Sequence, residues 1–255
     1  MKIQIDSKII IDALTKMQLK GKYYASGLSK NSTIGSQVVI CAEEGSGIIL
    51  YNANHIALCL RRITTTVEES GECVVDADKV ITQMKAFKGT VTIEAGEVLT
   101  TIQGNSIMRT PLLLNHSSPA GIAQVKDLTI PSGIPITIGR KTEIKTHLLT
   151  SWVHLSDAVK GCDVLNIGRY KFNFNEEEGI LELSSNKTAT ESFSTQITCG
   201  SMDGEGATVE MTGPFLSFFE KTDVINIYMR DDSPILFASN QGERMLVKAP
   251  YIGRN

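Results

Sequence analysis

A long internal repeat constrains the fold of this chain more than any other feature. The stretch from Gly71 to Leu114 returns in pattern from Gly206 to Ile252. In each copy an apolar strand runs into a helix start, at Asp76–Asp78 and at Met211–Pro214, and a short helix and three alternating strands follow. A duplicated βαβββ unit with no catalytic signature between its copies points to architecture rather than chemistry.

The composition is that of a globular chain of two domains. Its 255 residues are 42% hydrophobic and 21% charged, and the formal net charge is −3. Asp6 and Asp12 interrupt the apolar N-terminus, which indicates neither a signal peptide nor a membrane span and predicts a cytosolic protein. An odd number of widely spaced cysteines argues against a disulfide framework or a zinc site. These cysteines are Cys41, Cys59, Cys73, Cys162 and Cys199.

The same order of elements is predicted in both halves of the chain. Lys2–Asp6 alternates as a strand does, Ser7 is the expected N-cap, and apolar residues recur at helical spacing to about Leu19. Strands dominate from Gln37 to Thr66. After the first repeat copy, the Ser-, Pro- and Gly-rich residues 115–133 are predicted to form a connector.

The second half restarts with a predicted strand, Ile134–Ile138, and a predicted helix from Thr142 to about His154. Further strands lead into the second repeat copy, with its expected helix at 212–223. We therefore predict two α+β domains, residues 1–114 and 134–255. Each has antiparallel sheets with two helices on one face.

Charge is distributed unevenly between the predicted helices and the rest of the chain. The helical segments carry +3 (7–22), +2 (78–88), +2 (140–160) and −1 (212–223), which sum to +6 and leave −9 elsewhere. If the four helices share one face, that face is basic, as expected for a surface that meets phosphate. The alternative is that these lysines are the solvated sides of amphipathic helices.

No arrangement of residues indicates catalysis. The chain lacks a Gly-rich phosphate loop, and its histidines, at 55, 116, 147 and 154, belong to no known catalytic or zinc motif. His147 and His154 could form a metal pair, although two solvated histidines are favoured. We expect no catalytic residue, no metal and no cofactor.

Four short segments resemble the sliding clamps of DNA replication, of the proliferating-cell-nuclear-antigen (PCNA) type. They are NANHIALCL (Asn52–Leu60), DLTIPSG (Asp127–Gly133), HLSDAV (His154–Val159) and VKAPYI (Val247–Ile252). Their order and the duplication extend the resemblance over nearly the full length. It implies a processivity factor that encircles duplex DNA without sequence preference, is not an enzyme and does not bind membranes. The location would be cytoplasmic in an archaeal or viral host, or nuclear in a eukaryote.

The resemblance also implies a ring of six domains, hence a homotrimer. Edge strands of neighbouring chains would pair, and Ile107–Leu114 and Thr190–Thr198 are the candidates. Pro111 departs from this pattern because it lacks an amide donor. Further departures are a long polar segment at 23–35, Lys126 in the connector, and few lysines in the fourth helix.

Site residues follow from the same resemblance. The expected DNA-facing residues are Lys8, Lys16, Lys20, Lys79, Lys85, Arg140, Lys141, Lys145 and Lys221. The expected groove for peptides of DNA polymerase, the clamp loader and other replication or repair proteins involves His55, Leu128, Ile130, Pro234, Ala249, Pro250 and Ile252. The apolar members of this groove have an alternative role as core.

Two alternative functions remain open at this point. The chain could be a clamp-like subunit of a heteromeric repair or checkpoint ring, or an uncharacterised α+β enzyme.

Overall fold

The chain forms two compact units in the computed structural model, which describes residues 1–19, 36–54, 56–113, 122–138, 142–213, 215–239 and 241–251. The first unit holds the described residues up to Leu113, except 56–58. The second unit holds 56–58 and the described residues from 122 onward. Among the described residues, no helix has the length and apolar character that crossing a membrane requires.

The first unit contains nine strands and two helices within its described part. In order they are β1 (Lys2–Asp6), α1 (Ser7–Lys16), β2 (Gln37–Glu43), β3 (Gly47–Ala53), β4 (Ala57–Ile63), β5 (Thr66–Glu69), β6 (Gly71–Asp76), α2 (Ala77–Met84), β7 (Thr90–Ala95), β8 (Val98–Gln103) and β9 (Ser106–Pro111). One antiparallel sheet has the order β5-β1-β7-β8-β9, and the other strands follow the order β4-β3-β2-β6.

The second unit repeats this arrangement with a different helix content. Its elements are α3 (Ile122–Asp127), β10 (Ile136–Ile138), β11 (Thr142–Ile144), β12 (Thr146–Ser151), α4 (Trp152–Asp163), β13 (Arg169–Asn175), β14 (Ile180–Asn186), β15 (Ser192–Ile197), β16 (Cys199–Gly204), β17 (Ala207–Thr212), β18 (Val224–Met229), β19 (Ile235–Ser239) and β20 (Arg244–Lys248). The strands form the orders β16-β12-β18-β19-β20 and β15-β14-β13-β17, with β10 and β11 as a separate pair. The α+β class is thus confirmed.

Helix α1 forms where the apolar periodicity predicts it, but its cap is one residue earlier than expected. Asp6, not Ser7, accepts the Lys8 amide at 2.8 Å and satisfies one of the free N–H groups of the first turn. The Ser7 hydroxyl donates instead to the Phe87 carbonyl at 3.2 Å. Ile10 and Leu14, on the apolar side of the helix, are completely buried.

The predicted helix from Thr142 to His154 is wrong over most of its length. Thr146, Leu148 and Thr150 are buried and alternate with half-buried residues, which is the period of a strand. The segment pairs with β18 along its whole length as strand β12. Helix α4 begins only at Trp152, after Ser151 caps it by accepting the His154 amide at 3.2 Å. Pairing with a strand more than seventy residues away overrides the local helical spacing.

Two further segments differ from the sequence-based prediction. The helix expected at 212–223 is a single 3₁₀ turn, Leu216–Phe218, among the residues described there. The expected connector contains a short helix, α3, whose Val125 is fully buried. Local packing of apolar residues in this Ser- and Pro-rich stretch therefore orders part of it.

Candidate functional site

The exposed side of α1 carries a stripe of alternating charge. Lys8, Asp12 and Lys16 are spaced four residues apart and so lie on one side of the helix. Lys8 is exposed, and the Asp12 carboxylate lies 3.2 Å from the Lys16 Nζ. Its other oxygen lies 2.8 Å from Nη1 of Arg61 in β4. Lys20, expected to extend the stripe, lies outside the described residues.

Opposing effects act on the pKa of Asp12. Partial burial raises it, but hydrogen bonds and charge attraction from Arg61 and Lys16 outweigh burial, so the pKa is lowered. The carboxylate is therefore ionised and shared between two cations at neutral pH.

Helix α2 lies beside α1 and adds two exposed lysines. The Gln18 amide group donates to Asp78 at 2.9 Å and joins the two helices. Lys79 is 61% exposed, and Lys85 is exposed at the C-cap of α2. We call Lys8, Lys16, Lys79 and Lys85 the lysine surface of the first unit.

The second unit offers fewer cations on its helices than the sequence suggested. Lys145 lies between β11 and β12, not on a helix, and its Nζ is 3.2 Å from Glu205. Lys221 is exposed in the turn after Leu216–Phe218, while Arg140 and Lys141 lie outside the described residues. The prediction of a helix over 140–160 with a net charge of +2 is therefore wrong. Helix α4 itself carries −1, from Asp157, Lys160 and Asp163.

The expected groove residues have different degrees of burial. Leu128, Pro234, Ala249 and Pro250 are half-buried, whereas Ile130 is 6% exposed. A Cβ on Gly242 would approach the Ile130 side chain to 3.1 Å, so Ile130 packs closely there. Ile130 thus fits its alternative role as core, and the groove itself stays a prediction. His55 and Ile252 lie outside the described residues.

An aromatic and charged cluster that the sequence did not reveal surrounds Tyr251. Its amide donates to the Glu210 carbonyl at 2.6 Å, which places the C-terminal segment along β17. Arg169 lies 4.1 Å above the Tyr251 ring, donates to its hydroxyl at 2.9 Å and pairs with Glu210 at 3.3 Å. No sequence signal links these residues, because they are on three separate elements.

The proposed assembly edges are outermost strands, as predicted from their positions. β9 and β15 end their respective sheets, and no strand pairs with their outer edges in the part of the chain described. Ile107 on β9 is 57% exposed. Pro111 is the last residue of β9 and leaves the amides of the preceding residues available.

Helix α4 packs directly on the edge strand of the second unit. A Cβ on Gly161 would lie 2.1 Å from the Phe193 ring, so only glycine permits this approach. Phe193 lies on β15, and α4 therefore holds the edge strand in place.

Comparison with solved structures identifies this fold. A. fulgidus PCNA bound to the C-terminal region of FEN-1 matches 100% of this chain and 99% of its own, with 13% identity and a TM-score of 0.71. The Bacillus subtilis DNA polymerase sliding clamp matches with 16% identity and a TM-score of 0.75, and the chain spans 65% of its length. The Helicobacter pylori beta clamp bound to a DNA ligase peptide has 13% identity, a TM-score of 0.70 and 68% coverage, with 100% of this chain matched.

The chain therefore has the fold of DNA sliding clamps. No protein-family model matches it, and no curated protein matches it in sequence.

Proposed function

We propose that this chain is a DNA sliding clamp that encircles duplex DNA and acts as a processivity factor for DNA polymerase. The observation that carries the proposal is the clamp fold over the full chain, with an unpaired outermost strand in each described unit. Such a protein tethers its partners by topology and needs no catalytic residue.

The ring would form from three copies of the chain. β9 of one copy would pair head-to-tail with β15 of the next. This pairing would satisfy the free backbone N–H and C=O groups of both edge strands and close the ring. Residues 1–114 and 134–255 would be the two domains of each copy, joined by the connector 115–133. The location would be the cytoplasm of an archaeal or viral host, or the nucleus of a eukaryote.

DNA would contact the lysine surface of the first unit. Lysine side chains bind phosphate without reading base sequence, and loose contacts of this kind allow a closed ring to slide. Lys20, Arg140, Lys141, Lys145 and Lys221 are proposed to contribute as well. Because α4 carries a net negative charge, the first unit would make most of the contacts with DNA.

Partner proteins would bind through a short peptide in the groove of Leu128, Pro234, Ala249 and Pro250, with His55 and Ile252. Support comes from the clamps of this fold that carry a FEN-1 region or a DNA ligase peptide. Apolar and aromatic anchors of DNA polymerase, the clamp loader and repair proteins would fill the pocket.

Electron microscopy of the purified chain tests the assembly. We expect a six-lobed ring with a central hole, and light scattering should give the mass of three chains. A monomer at high concentration and low salt would contradict the homotrimer. Primer extension on circular templates with a clamp loader should then show longer products when the ring is present.

A further inference from the structure

The stripe on α1 contains a charge that works against DNA binding. Asp12 lies between Lys8 and Lys16, so the three residues together carry only +1. A carboxylate in this position repels phosphate, and it also competes with phosphate for the Lys16 ammonium at 3.2 Å.

Arg61 lies beneath this carboxylate. It is 8% exposed, and its guanidinium contacts Asp12 at 2.8 Å. Guanidinium groups remain charged in proteins, and a buried one is costly unless it is paired. Within the described residues, Asp12 is the only carboxylate at ion-pair distance from Arg61. Asp12 therefore forms one ion pair with the buried Arg61 and a second with Lys16.

We propose that Arg61 is a positioning residue for the lysine surface: it neutralises and holds Asp12, so that the Lys16 ammonium can pass from Asp12 to a DNA phosphate. With Arg61 included, the cluster carries +2 rather than +1. Arg61 is too buried to meet the phosphate itself. This inference rests on the proposed DNA contact of α1.

The test measures DNA affinity of the full-length chain for a short fluorescent duplex across a range of salt concentrations. Arg61→Gln keeps a hydrogen-bond donor for Asp12 but removes the charge. We expect severalfold weaker binding and a salt slope that is smaller by about one, as for loss of one phosphate contact. Lys16→Met should show the same loss, and combining the two changes should add little. Lys2→Gln, on β1, is the control for removal of one charge elsewhere.

A rescue variant separates this role from a structural one. Asp12→Asn combined with Arg61→Gln restores the net charge of the cluster, so affinity and salt slope should return close to those of the original chain. If Arg61 were only structural, Arg61→Gln would lower the melting temperature and leave the salt slope unchanged. That result, or losses in Arg61→Gln and Lys16→Met that simply add, would overturn the inference.

The same measurements distinguish failure of the inference from failure of the proposed function. If Lys16→Met weakens binding but Arg61→Gln does not, only the role of Arg61 is wrong. If the original chain has no affinity for the duplex, or neither Lys16→Met nor Lys79→Met changes it, the DNA contact is wrong and the role of Arg61 falls with it.

Discussion

The Tyr228 hydroxyl accepts a hydrogen bond from the Ser132 amide at 2.7 Å and donates one to the Ser132 carbonyl at 3.2 Å. One phenol thus satisfies both backbone groups of a residue in the segment after α3. Tyr228 is fully buried, and burial raises the pKa of its hydroxyl, which remains a donor at neutral pH. The bond fixes a stretch of the expected connector to β18.

Removal of this hydroxyl should loosen the segment after α3. We expect Tyr228→Phe to lower the free energy of unfolding by about 1 kcal/mol, because the half-buried backbone groups of Ser132 lose their partner. Urea unfolding measures the change, and hydrogen exchange should show faster exchange at the Ser132 amide. Tyr251→Phe removes a hydroxyl bond at a more exposed site and should cost less. Equal losses in both variants would argue against a special role for Tyr228.

The contact of Gly161 with Phe193 predicts an overpacking effect. Alanine normally favours a helix over glycine by about 1 kcal/mol. At Gly161, however, its Cβ would collide with the Phe193 ring, and overpacking costs about 1–3 kcal/mol. We expect Gly161→Ala to destabilise the protein in thermal unfolding. Gly96→Ala, between β7 and β8, has no atom within 4 Å of a new Cβ and is the control for a glycine replacement without a collision.

Ile107 tests the proposed assembly edge. Since its side chain is largely exposed in the single chain, Ile107→Lys should change the stability of an isolated chain by less than about 0.5 kcal/mol. Burial against a second copy would make the charge costly, so we expect sedimentation to show dissociation to monomers. Ile9→Lys, at a similarly exposed position on α1, should leave the assembly intact. A stable trimer of Ile107→Lys would place the interface elsewhere.

Neutralisation of the lysine surface should separate DNA contact from folding. We expect Lys8, Lys16, Lys79 and Lys85 changed together to glutamine to abolish stimulation of polymerase while the ring still forms. Lys2→Gln with Lys171→Gln removes two charges on strands instead and should retain stimulation. Loss of the ring in the fourfold variant would show that these lysines act in assembly.

The lowered pKa of Asp12 predicts a pH-dependent contribution to stability. A carboxyl group whose folded pKa is depressed stabilises the protein above its unfolded pKa, near 3.8, and loses this contribution as pH falls through the lower folded value. Asp12→Asn lacks the ion pair at every pH. The difference in unfolding free energy between the two proteins should therefore shrink in acid, and urea titrations below pH 4 measure it. A constant difference would mean that the ion pair contributes nothing.

Local pattern was a reliable guide where an element depends on its own residues. The apolar spacing of Ile10, Ala13 and Leu14 located α1, because a helix satisfies its own backbone bonds and needs only one buried side. The positions of β9 and β15 as outer strands were predicted from the resemblance to clamps. Local pattern failed at Thr146–Ser151, where β18 supplies the backbone partners and turns an apparent helix into a strand.

The sequence by itself determined the duplicated α+β architecture and the resemblance to clamps, because alternation, turns and repeats are local properties of the chain. Only the tertiary structure decided which charges act together. Asp12 and Arg61 are 49 residues apart in the sequence, and Arg169 and Tyr251 are 82 residues apart. Such pairs form because tertiary packing brings distant side chains within a few ångströms, and the burial of Arg61 makes its charge depend on Asp12.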